Sequence, residues 1–135
     1  MKWMKMLIWF FAAVLILSGC QAAKIDAPKP SAASTHNPTA HEILTGHSDA
    51  DIFQWNGIVY TNASHIEWVQ QEELSAGDQI GTIMKQYRDG LDFEDAMATK
   101  LPVGTEIYKP KGEGQLILIV KLNGGEVRYL GLIEG

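Results

Sequence analysis

The chain has 135 residues, 46% of them hydrophobic, and carries a formal net charge of −5 at pH 7. Such a length holds one small domain, and the acidic balance excludes the basic footprint that nucleic-acid binding requires. Cys20 is the only cysteine, which excludes an intramolecular disulfide.

The first element in the chain is an export segment. Lys2 and Lys5 precede an uninterrupted apolar run over residues 6–17. This matches the charged start and the short apolar stretch of a secretory signal, and it is too short to span a bilayer as an ordinary helix. The lysines stay on the cytoplasmic side. Leu17-Ser18-Gly19-Cys20 follows directly and resembles the lipobox of bacterial lipoprotein precursors. The resemblance implies that the Cys20 thiol takes a diacylglycerol thioether and that cleavage falls between Gly19 and Cys20. It also implies a mature protein anchored in the cell membrane by acyl chains such as palmitate, on the extracytoplasmic face. The signal peptide is then residues 1–19.

Residues 20–50 read as the lipidated cysteine and a disordered linker. Ala, Ser, Thr and Pro dominate, with Pro28, Pro30 and Pro38 as helix breakers. A flexible chain of that length reaches roughly 30 Å. "HEILTGH" at 41–47 has the makings of a short helical turn at the domain edge.

Residues 51–135 change character and read as one β-rich globular domain. Seven Lys or Arg against thirteen Asp or Glu give it a net charge of −6, which disfavours nucleic acid and direct docking on anionic lipid. Asn56-Gly57 between two apolar runs predicts a type I′ hairpin with Phe53, Trp55, Ile58 and Tyr60 on one face. Gln54, Val59 and Thr61 take the other, half-exposed face. Residues 62–74 predict a short helix capped by Asn62 or Ser64, with Ser64 and Glu67 at capping-box spacing and an extended strand ending near Trp68 as the rival. "SAGD" at 75–78 reads as a turn and 79–87 as a strand in which Gly81 marks a bulge. Residues 88–98 read as an acidic loop, and 105–109 as a further strand. A second hairpin turns at Asn123-Gly124, setting Lys121 opposite Glu126 and Val120 opposite Val127, with apolar side chains on both faces. The expected fold is α+β: mainly antiparallel β, five or six strands, one short helix, a small single domain.

Chemistry is sparse. His41 and His47 with Glu42 and Asp49 match no standard zinc spacing, and no metal or cofactor is expected. The carboxylates Asp89, Asp92, Glu94 and Asp95 crowd one loop, but Gly90 is misplaced for a calcium loop. No nucleophile elbow or phosphate loop occurs, so no catalytic residue is assigned. Trp55, Tyr60 and Trp68 form the candidate binding face, although aromatics at hairpin spacing more often belong to the core. "IFQWNGIVYTNASHIEWV", "ATKLPVGTEIYK" and "ILIVKLNGGEVRYLGLIEG" together resemble small uncharacterised lipoproteins of Bacillus-type, Gram-positive bacteria. Their motifs are hydrophobic and turn-like, so the resemblance implies fold and compartment and transfers no catalytic residue. The expected function is a membrane-tethered binding or interaction module with a protein or small-molecule partner and no enzymatic role. The alternatives are an accessory subunit of an envelope or transporter complex, and an envelope hydrolase or metal-dependent enzyme pairing His65 with the 89–95 carboxylates.

Overall fold

The computed structural model describes residues 36–112 and 116–134; the export segment and the lipobox lie outside them. Two Asn-Gly turns organise the chain. Asn56 and Gly57 sit at φ 48° and 75°, Asn123 and Gly124 at φ 52° and 78°. Positive φ at both central positions is the type I′ geometry, whose twist matches that of paired strands. The first turn joins β1 (Ile52–Trp55) to β2 (Ile58–Asn62), and the second joins β7 (Ile117–Leu122) to β8 (Gly125–Gly131). The registers are those expected, with Trp55 opposite Ile58, Phe53 opposite Tyr60, Val120 opposite Val127 and Lys121 opposite Glu126.

Between the hairpins run β3 (Ser75–Thr82), β4 (Lys85–Gln86), β5 (Met97–Ala98) and β6 (Glu106–Lys111). The sheet therefore has eight strands, in the order β3-β6-β7-β8-β2-β1-β5-β4, rather than five or six. All pairs are antiparallel except β4 with β5. Two causes account for the added strands. β4 and β5 are two residues each, too short to show an apolar alternation. The strand expected over 79–87 breaks at Ile83 and Met84 into β3 and β4, and β3 starts earlier, so residues 75–78 are strand rather than turn, with register shifts between Ala76 and Gln79 and again before Gly81.

β3 and β4 lie at opposite ends of the sheet, yet only Ile83 and Met84 separate them in the chain. The sheet therefore curls into a half-barrel, with Ile83 and Met84 bridging from one outer strand to the other. At the corner the Ile83 N–H donates to the Thr105 carbonyl and the Met84 N–H to the Ala96 carbonyl, both within 2.9 Å. This curling protects edges that would otherwise template association. The inner face encloses the main core of Phe53, Tyr60, Ile83, Leu101, Ile107, Leu118, Val120 and Tyr129.

Two short helices cover the outer face. α1 (Ala40–Gly46) packs Ala40, Ile43 and Leu44 on Ile52 and Val59. Residues 40–50 thus belong to the folded body instead of the linker; on the outer face of the first hairpin Val59 is buried under α1, while Gln54 and Thr61 stay half-exposed as expected. α1 opens with a full capping box. Thr39 Oγ1 accepts from the Glu42 N–H, and the Glu42 carboxylate accepts from the Thr39 N–H at 2.8 Å. That N–H, with the Thr39 hydroxyl, holds the Glu42 carboxyl below its usual range.

α2 (Glu67–Gln71) is shorter than the helix expected over 62–74, and no side chain caps its start. Asn62 Oδ1 instead accepts from the Ser64 N–H, so the Ser64–Glu67 box does not form. Val69 of α2 packs with Ala63 and Ile117 on the back of the second hairpin. β7 is therefore buried on both faces, as its continuous apolar run requires.

Candidate functional site

β6 follows β7 only from Glu106 to Tyr108, opposite Lys121 to Ile119. Beyond Tyr108 it continues with β3 alone. Pro110, which has no N–H to give, stands in this one-sided stretch, opposite Ala76. Where β6 and β7 part, a cleft of about 530 Å³ opens toward the inner face of the sheet. Trp55, Tyr60, Ile80 and Leu118 form its apolar walls, and Lys109 and Pro110 line its β6 side. Side chains alternate along a strand, so Lys109 faces the same side as the buried Ile107.

Trp55 reaches across the curl to β3. A Cβ on Gly81 would stand 2.1 Å from Trp55 Cη2, so only glycine leaves room for the ring. The bulge expected at Gly81 is present, and the approach of this indole explains why glycine occupies it. Tyr60 is 6% exposed and stacks on Phe53 at 5.3 Å and 13°. Burial pushes its hydroxyl above the ordinary tyrosine range, keeping it protonated.

Trp68 does not join these two. It is 53% exposed on α2 and lines no part of the cleft. The candidate face thus resolves into a cleft pair, Trp55 and Tyr60, and a separate surface indole. His65 makes no hydrogen bond or ion pair with Asp92 or Glu94 among the described residues. It lines a different depression with His47, Asp49 and Asp51. No group of three His, Cys, Asp or Glu able to hold a metal occurs among the described residues. No helix among them is long and apolar enough to cross a membrane.

Several polar side chains have structural tasks that the sequence did not announce. Asp95, from the acidic loop, accepts from the Gly57 N–H at 2.9 Å and from Gln54 Nε2 at 3.0 Å, clamping the first turn. The Arg128 guanidinium donates to the carbonyls of Val69, Gln70, Glu72 and Leu74, ending α2. Asp51 accepts from the Tyr129 hydroxyl at 2.9 Å and from Asn62 Nδ2 at 2.8 Å. Thr99 Oγ1 accepts from the Ile52 N–H and donates to the Ala50 carbonyl. All but the Asp51–Asn62 bond, which crosses the first hairpin in register, join residues far apart in the chain, so spacing held no signal for them. The Thr39–Glu42 capping box was the exception, readable as Thr-x-x-Glu before an apolar pair.

The cleft can therefore take up a small molecule but contains no nucleophile paired with a base. No family model, curated protein or solved structure matches this chain.

Proposed function

We propose that the protein is a lipoprotein tethered through Cys20 to the outer face of the cell membrane, where its β-rich body acts as a binding module. The observation that carries this reading is Leu17-Ser18-Gly19-Cys20 directly behind the apolar run of residues 6–17 and the lysines before it. Residues 1–19 serve as the signal peptide and are removed. Two acyl chains hold a protein on a bilayer far more firmly than one, at about 0.8 kcal/mol per buried methylene. The Ala-, Ser-, Thr- and Pro-rich stretch that follows Gln21 serves as the leash between anchor and body. The Trp55–Tyr60 cleft supports the binding half of the reading, because concave apolar sites with a few polar groups are the usual seats of small ligands.

The test is metabolic labelling with radioactive palmitate in a Gram-positive host. Wild-type protein is expected to carry label, and Cys20→Ser to carry none and remain as the longer precursor. Equal label in Cys20→Ser would overturn the tether.

A further inference from the structure

Tyr60 is nearly buried, yet its hydroxyl makes no hydrogen bond among the described residues. No fully sealed side-chain polar atom among the described residues lacks a partner. The hydroxyl is therefore not sealed, and the space it opens to is the cleft it lines. An open donor at the floor of an apolar cleft is a place where a polar atom of an occupant can be bonded. The contrast with Tyr129 is direct, since that hydroxyl is satisfied by Asp51.

A second polar group faces the same space. Lys109 is exposed, lines the β6 side of the cleft, and pairs with no carboxylate among the described residues, although the domain around it is strongly acidic. A lone ammonium at the mouth, a phenol at the floor, and Trp55, Ile80 and Leu118 between them describe one kind of occupant.

We propose that this cleft binds a small organic anion: an apolar body lying along Trp55 and Ile80, one anionic group held by Lys109, and a polar atom bonded to the Tyr60 hydroxyl. The volume of about 530 Å³ lies within the range of small-molecule sites. The inference deepens the binding reading above and rests on it.

The experiment titrates the full chain, in maltoside micelles with a micelle-only blank, by calorimetry. The probes are naphthalene-2-sulfonate and its uncharged counterpart naphthalene-2-sulfonamide. Wild type is expected to bind the sulfonate saturably, one to one, and more tightly than the sulfonamide. Lys109→Met is expected to weaken the sulfonate about fivefold and leave the sulfonamide unchanged. Tyr60→Phe is expected to weaken both about threefold while the thermal midpoint stays at the wild-type value, because no internal bond is lost. Equal affinity for the two probes, indifferent to Lys109→Met, would overturn the anionic ligand and leave a binding cleft standing. Saturable binding of neither probe would overturn the cleft as a ligand site and leave the lipid tether, which palmitate labelling decides independently. A lowered midpoint in Tyr60→Phe would overturn the unpartnered hydroxyl.

Discussion

The hairpins at Asn56-Gly57 and Asn123-Gly124 turn with nearly the same backbone angles, yet they are fastened by different means. The second carries apolar side chains on both faces and is buried between the inner core and α2. Its polar groups are consumed internally: Arg128 ends α2, and Tyr129 bonds Asp51. The first is fastened at its tip, by the Asp95 carboxylate and by the Trp55 ring against Gly81. It leaves Tyr60 unbonded beside the cleft. One turn chemistry thus builds two kinds of element, a sealed beam and a cleft wall, and the difference lies in what long-range partners reach each one.

The largest effect that would sharpen this contrast is at Arg128. Arg128→Met leaves several carbonyls around the end of α2 without their shared donor, and it is expected to destabilise by about 3 kcal/mol. Urea denaturation measures it. A loss below about 0.5 kcal/mol, the size of a surface change, would show that α2 holds without the guanidinium.

Next is the tip of the first hairpin. Gly81→Ala drives a methyl into Trp55 and is expected to cost about 2 kcal/mol by overpacking. Trp55→Ala removes the obstacle, so the double variant should lose clearly less than the sum of the two single losses. Additive losses would mean that the ring does not close the curl.

The two tyrosines give a smaller, pH-dependent contrast. Burial, and next the charge of Asp51, push the Tyr129 hydroxyl above its ordinary value of 10.0. The unfolded chain releases this proton above about pH 10 while the folded chain keeps it, so the stabilisation is complete below that pH and is lost as pH rises beyond it. Tyr129→Phe is expected to cost about 1–2 kcal/mol near neutrality and to flatten the alkaline decline. Tyr60→Phe should barely move neutral stability. Matching losses from the two variants would erase the distinction between the sealed and open hydroxyls.

The smallest effect is at Asp95. Asp95→Ala is expected to cost about 1 kcal/mol by freeing the Gly57 N–H and the Gln54 amide. Glu126→Ala, which removes one exposed cross-strand pair with Lys121 on the other hairpin, should cost about half as much or less. The denaturation midpoints of the two variants rank them, and a reversed order would mean that the turn sequence alone holds the first hairpin.

Local rules determined what the sequence by itself could determine. Asn-Gly needs positive φ at two adjacent positions, so both turns, both registers and the double-faced burial of β7 followed from residues within a few places of each other. The bulge at Gly81 and an antiparallel-rich small domain followed in the same way. Tertiary structure decided the rest, because its causes are contacts between distant residues. Met97 and Ala98 are a strand only since β1 and β4 lie on either side of them. Residues 40–46 belong to the fold only since Ile52 and Val59 offer an apolar surface to cover. Asp95 is a turn clamp since the curl brings it to Gly57. Trp55 and Tyr60 face a cleft, apart from Trp68, since β6 leaves β7 after Tyr108. Side-chain period and turn propensity act over a few residues and can be read in order along the chain. The cleft depends on where strands far apart in that order diverge, which only the curled sheet sets.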